Sequence, residues 1–243
     1  MKHRGIRTFL TISLALMIAF SFSSFVFADG WLSDVEGIEL DTTYEGFSQY
    51  DQSEAFGFTV PAKGTINIHI ESENYAPLVN DFYIYSSKNV DEYIHKMDYG
   101  YYDLKQSSAR GVYYLDEKIS LPKGNYYFVN LDGNDSGAYE FSLDYKANIS
   151  GTRVTKLIPK KKGFKVKIKR SGTATGYQIK YSTSKNMRNA KIVKTTRLYK
   201  TIRHLKKGKR YYVRVRAYRT VKVDGVNKTY YSKWSAKKKV KTK

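Results

Sequence analysis

Residues 209–221 read KRYYVRVRAYRTV. Side chains alternate between the two faces of an extended chain, so Tyr211, Val213, Val215 and Ala217 fall on one side and Tyr212, Arg214, Arg216 and Tyr218 on the other. That period of two predicts a strand with one buried face. Moving outward, GYQIKYSTS at 176–184 alternates Tyr177, Ile179 and Tyr181, and Phe164, Val166 and Ile168 alternate with lysines. These apolar sets, with Leu205, are enough to fill the core of a small sandwich.

The first half of the chain has the same grammar. In FGFTVPAKGTINIHI (56–70), Pro61 and Gly64 mark a turn, and Ile66, Ile68 and Ile70 then alternate with Asn67 and His69. DFYIYSS (81–87), KISLPKGNYYFVN (118–130) and GAYEFSLDYK (137–146) read as further strands, with DGNDSG (132–137) as a tight turn. No stretch of ten residues carries a strong helical period. The expected fold class is therefore all-β, two antiparallel β-sandwiches in tandem.

Charge divides the chain at the same place. Of 243 residues, the formal net charge is +21, but residues 29–150 hold 21 acidic and 8 basic side chains, and residues 151–243 hold 32 basic ones against the single carboxylate of Asp224. Ser150-Gly151 reads as a short hinge between the halves. Ahead of both, Lys2, Arg4 and Arg7 precede an uncharged stretch from Thr8 to Phe27 that ends Val26-Phe27-Ala28. This order predicts a secretory signal peptide cleaved after Ala28, with serines diluting the alternative of a retained membrane anchor. The expected organisation is a leader over 1–28, an acidic sandwich over 29–148 and a basic sandwich over 151–243. No transmembrane segment is expected after cleavage, and the product is expected outside the cell, at a cell surface or free.

The order FTVPAKG, TINIHI, DFYIYSS, ISLPKGNYYFVN and GAYEFSLDY resembles the bacterial pre-peptidase C-terminal domain, a jelly-roll-like sandwich, over about Thr43 to Lys146. A Tyr-rich insertion near 98–114 departs from that pattern. From about Thr152 to Lys243, GYQIKYSTS, KRYYVRVRAYRTV and YYSKWSAKKKVKTK resemble the Lys-rich fibronectin type III domains of secreted Gram-positive proteins. That resemblance implies a tyrosine corner at Tyr211, whose hydroxyl bonds nearby backbone. It also implies that Trp234, in YSKWS, stacks on Arg214 and Arg216. Ile168 stands where the family carries a core tryptophan. Members of both families serve mostly as non-catalytic binding appendages, some of them on collagen or polysaccharide.

Composition excludes some chemistry. With no cysteine, the chain has no disulfide framework, thiolate zinc site, iron–sulfur cluster or cysteine nucleophile. His69, His95 and His204 lack a recognisable catalytic or metal-ligand spacing, so no catalytic residue, cofactor or metal is expected. Asp132, Asn134 and Asp135 read as a hairpin turn in preference to a calcium loop.

Two candidate binding surfaces remain. Tyr99, Tyr101 and Tyr102 in DYGYYD could stack on sugar rings or pack within the fold. Lys160, Lys161 and Lys162 head a series of basic runs that either form a solvated face or bind an anionic cell-envelope polymer or polysaccharide. A protein partner is compatible with either surface. Specific nucleic-acid binding is not expected, because no recognition helix or RNA-binding motif is present. The expected function is a secreted, non-catalytic binding or adhesion protein of a bacterial surface, tethered by its basic domain. The alternatives are carbohydrate or matrix binding through the acidic domain, and an accessory of a secreted hydrolase.

Overall fold

The computed structural model of the chain describes residues 35–49, 52–131 and 136–243. The expected leader with its expected cleavage after Ala28, and the expected turn carrying Asp132, Asn134 and Asp135, lie outside the described residues.

The alternating segments of the first half form strands β1 (Val35–Gly37), β2 (Thr43–Ser48), β3 (Glu54–Val60), β4 (Gly64–Ser72), β5 (Asp81–Ser86), β6 (Asn89–Met97), β7 (Lys105–Ser107), β8 (Val112–Leu121), β9 (Gly124–Leu131) and β10 (Gly137–Ala147). They make two five-stranded sheets, ordered β1-β3-β9-β5-β6 and β2-β10-β4-β8-β7. Ile66, Ile68 and Ile70 on β4 are buried between the sheets, while Asn67 and His69 face outward. Phenylalanines bridge the layers: Phe141 lies 4.7 Å from Phe56 and 4.8 Å from Phe128, centroid to centroid. Tyr139 crosses its register partner Gly46, where a Cβ would meet the ring at 2.3 Å, so glycine is what lets the ring lie across the strand.

The second half forms β11 (Val154–Lys160), β12 (Gly163–Ile168), β13 (Gly176–Ser182), β14 (Lys191–Thr195), β15 (Tyr199–Ile202), β16 (Arg210–Val223), β17 (Val226–Tyr231) and β18 (Lys238–Lys241). One sheet is ordered β11-β12-β15 and the other β14-β13-β16-β17, with β18 also pairing β16. Among the described residues the fold is thus all-β, built as sandwiches that are antiparallel except where β1 pairs β3 in parallel. Phe164, Val166, Ile168, Tyr177, Ile179, Tyr181, Tyr211, Val213, Val215 and Ala217 form one buried cluster, with Leu205 packed at its margin.

Strand β16 is 14 residues long and does three jobs. Arg210–Val213 pair with β18, Tyr212–Tyr218 pair with β13, and Arg219–Val223 run beyond β13 and pair with β17. The projecting hairpin turns at Asp224-Gly225, with φ of 45° and 82°. Two consecutive positive φ values are what a type I′ hairpin turn needs, and Asp-Gly is a preferred pair for it.

This hairpin docks on the first sandwich. Val223 is 1% exposed and belongs to the first sandwich's core, with Val221 and Tyr230 packed beside it. The Leu40 N–H donates to the Asp224 carboxylate at 2.9 Å, and Lys228 pairs with Asp41 at 2.5 Å. Tyr230 meets Tyr145 edge to face at 5.6 Å, and Arg219 donates to the Asn148 and Lys63 carbonyls at 3.3 and 3.4 Å. Burial holds the Asp224 carboxyl above its usual range, against the opposing pull of the Leu40 N–H and Lys228.

The expected hinge is tied down on both sides. Asn148 N–H donates to Lys63 O at 3.1 Å. Ser150 N–H donates to Thr173 Oγ1 at 3.1 Å, and Ser150 O accepts from Ser171 Oγ at 2.7 Å.

Candidate binding surfaces

The segment YSKWS runs along β16 in the gap between β17 and β18. The Ser232 and Ser235 hydroxyls accept the Ala217 and Val215 N–H groups, each at 3.0 Å. The same serines donate their own N–H groups back to the Ala217 and Val215 carbonyls, at 3.0 and 2.8 Å. The two serines are three residues apart, which lets them replace a paired strand and holds the aromatic rings over the β16 arginines. The guanidinium of Arg216 lies 4.0 Å from the Tyr231 ring centroid and 4.5 Å from that of Trp234, and Arg214 lies 5.4 Å from Trp234. The stack occupies the Trp234 ring, so these residues build the sandwich and do not present a ligand platform. Tyr211 accepts the Lys206 N–H at its hydroxyl, 3.3 Å away, closing the loop before β16.

Backbone hydrogen bonds gather basic runs that are far apart in sequence. Lys160, Lys161 and Lys162 make the β11–β12 turn, with Lys162 at φ 48°. Lys162 N–H donates to Lys243 O at 2.8 Å, Lys243 N–H donates to Lys160 O at 3.0 Å, and Leu205 N–H donates to Lys162 O at 2.9 Å. Thr242 binds the 206–209 loop from the other side, through its hydroxyl to Lys206 O at 2.7 Å and its N–H to Lys209 O at 3.0 Å. Lys160–Lys162, Lys206, Lys207, Lys209, Arg210 and Lys243 therefore share one end of the second sandwich. That end lies where β16 begins, and the hairpin on the first sandwich lies where β16 finishes. At about 3.3 Å per residue, the two are separated by roughly 40 Å. The one carboxylate of the second half, Asp224, is at the far end.

The tyrosines of DYGYYD divide. Tyr99 turns inward against the first core and donates to the Glu117 carboxylate, and burial followed by that carboxylate pushes its phenol well above the usual range. Tyr99 thus leaves the expected stacking group. Tyr101 and Tyr102 are exposed, Tyr102 at 96%. Tyr101 instead joins Tyr75, edge to face at 4.8 Å, and Tyr113 at 6.3 Å. Tyr75 and Tyr113 were not visible as members of this group in the sequence, because a 3-10 turn over Tyr101–Asp103 and the start of β8 bring them together. The nearby carboxylates serve the fold: Asp103 accepts the Gly100 N–H at 3.0 Å, and Asp98 pairs with Lys96 at 3.0 Å.

A further cluster emerges only from register. On the outer face, Ser142, His69 and Asp116 are neighbours across β10, β4 and β8. The set has the composition of a nucleophilic triad, but its bonding is different. His69 Nδ1 meets Asp116 at 2.7 Å, and Nε2 meets Glu71 at 3.0 Å. Arg110 and Lys105 hold the outer ends, at 2.5 Å from Glu71 and 3.2 Å from Asp116. Burial works against charge on His69, yet the hydrogen bonds that Asp116 and Glu71 accept from it outweigh burial and raise the imidazole above its usual value. With both ring nitrogens engaged by carboxylates, His69 has no free nitrogen of the kind that a general base requires. This is an ion-pair network on a sheet face. Among the described residues, no group of three or more His, Asp or Glu is arranged to hold a metal ion.

No protein-family profile and none of the curated proteins matches the chain. Among solved structures, the pre-peptidase C-terminal domain of a collagenase from Bacillus anthracis is similar at 18% identity and a TM-score of 0.35, covering 48% of this chain and all of that one. The FN1–FN3 domains of chicken CNTN1 are similar at 15% identity and a TM-score of 0.35, covering 85% of this chain and 65% of that one. PliG from Salmonella Typhimurium, a periplasmic inhibitor of g-type lysozyme, is similar at 19% identity and a TM-score of 0.30, covering 46% and 98% respectively.

Proposed function

We propose that this protein is a non-catalytic tether of a bacterial surface, in which the basic end of the second sandwich binds an anionic envelope polymer and holds the acidic sandwich away from it. The observation that carries this reading is the gathering of Lys160–Lys162, the 206–210 loop and Lys243 at the end of β16 remote from the first sandwich. Cations concentrated in one place release counterions from a polyanion together, giving affinity without a shaped pocket. Export by the leader at residues 1–28 would deliver the protein to such a polymer.

Binding of the full chain to poly(glycerol phosphate) tests the location. Replacing Lys160, Lys161 and Lys162 by Gln is expected to weaken binding. Replacing three lysines on the first sandwich, Lys88, Lys118 and Lys123, is expected to leave it unchanged. Equal effects would remove the assignment to the basic end.

The exposed Tyr75, Tyr101 and Tyr102, backed by the half-buried Tyr113, favour a second reading, glycan binding by the first sandwich. Binding on a glycan array that is lost in Y101A/Y102A would support it. The third possibility, service to a secreted hydrolase, draws no support from the His69 cluster, whose two ring nitrogens are both engaged by carboxylates.

A further inference from the structure

Strands β14 and β15 are edge strands of opposite sheets, and the loop joining them closes one open side of the second sandwich. There they leave a groove of about 540 Å³, lined by Arg197, Lys200 and Arg203 with Thr195, Thr196 and Thr201. Like most of the basic half, this groove is free of carboxylates; its shape and its place are what set it apart. Among the described residues, no ion pair involves Arg197, Lys200 or Arg203, whereas Arg214 and Arg216 are committed to Trp234 and Tyr231. Its shape differs, because these cations and the threonines line one concave space, while Lys160–Lys162 stand on a turn. Its place is continuous with the basic end: the chain runs from Arg203 in the groove to Leu205, whose N–H donates to Lys162 O at 2.9 Å.

We propose that this groove seats a phosphodiester group. Two guanidinium forks offer paired N–H donors that match phosphate oxygens, Lys200 adds a point charge, and the Thr196 and Thr201 hydroxyls add neutral donors, while the Thr195 hydroxyl is engaged by the Arg197 backbone. The proposal rests on the tether reading and deepens it: the basic end supplies diffuse attraction, and the groove supplies the one place where a phosphate is gripped with defined geometry. A phosphodiester can come from a polyol-phosphate polymer or from a phospholipid head.

The test titrates the full chain, at one fixed salt concentration, with poly(glycerol phosphate) in one arm and phosphatidylglycerol vesicles in the other. R197Q/R203Q is expected to lower affinity by about ten-fold or more in the arm that supplies the phosphodiester, as for the loss of charge-assisted hydrogen bonds. The charge-matched K160Q/K161Q is expected to lower it by no more than about three-fold, as for exposed charges. Equal losses from the two variants, or no loss from R197Q/R203Q, overturn the groove and leave the tether standing. No binding by the unmodified chain in either arm overturns both. Should R197Q/R203Q fail to fold, R197K/R203K decides, because it keeps both charges and removes the forks. A loss supports the groove, and unchanged affinity overturns it.

Discussion

Tyr211 commits its hydroxyl to the Lys206 N–H, and its ring to the second core. Tyr211→Phe keeps the ring and removes only the acceptor, so it is expected to cost about 0.5–1.5 kcal/mol, the net value of one such bond. An unchanged denaturation midpoint would contradict that role. His69 makes a different kind of prediction. Its folded-state pKa is raised, so the stability it contributes is full below its ordinary value near 6.5 and is lost as pH rises through the raised value. Glu71 and Asp116 are desolvated but are lowered on balance by His69, Arg110 and Lys105, so their contribution is lost as pH falls through their depressed values. The cluster therefore stabilises most in the window between, and His69→Gln should flatten both limbs of a plot of melting temperature against pH. An NMR titration placing His69 below 6.5 would refute the arrangement. The sequence showed that His69 faces outward from a strand, since that follows from alternation alone. It could not show Asp116, 47 residues away, as its partner, because that depends on the register of β4 against β8.

At the scale of elements, alternation makes β4, β12, β13 and β16 legible, because a strand's buried face is written in every second residue. The β16–β17 hairpin is half legible. Val-Asp-Gly-Val at 223–226 carries a local turn signal, and Asp224 is conspicuous as the lone carboxylate of its half. The docking is not legible, since Leu40 and Asp224 are 184 residues apart and nothing in either segment names the other. The Tyr75–Tyr101–Tyr113 group was hidden for the same reason, and Tyr99 looked like a member because an irregular segment has no period to assign its direction. The docked hairpin predicts an effect at a distance. Val223→Ala removes two methyl groups from the first sandwich's core, so it should cost about 1–3 kcal/mol. That loss should appear in the unfolding of the first sandwich, although residue 223 belongs to a strand of the second. A loss confined to the second sandwich would mean that the hairpin does not dock.

Over the whole molecule, the strands of each half close their own core, apart from Val223. Pieces spanning 29–148 and 151–243 are therefore expected to unfold cooperatively on their own, with 29–148 less stable than the same sandwich in the full chain. Calorimetry of the two pieces and the full chain checks this, and a 29–148 piece as stable as in the full chain would show that the hairpin adds nothing. The same architecture sets the electrostatics. The acidic sandwich and the basic end lie at opposite ends of β16, roughly 40 Å apart at about 3.3 Å per residue. Salt screens exposed charges within about 8 Å at physiological strength, so the acidic half leaves the basic end free to bind. The most direct test of the tether is the affinity of the full chain for poly(glycerol phosphate), measured by isothermal titration across a series of salt concentrations. The account predicts that the logarithm of the affinity falls steeply and linearly with the logarithm of salt concentration, and less steeply in K160Q/K161Q/K162Q. Absent binding, or an affinity indifferent to salt, would contradict it.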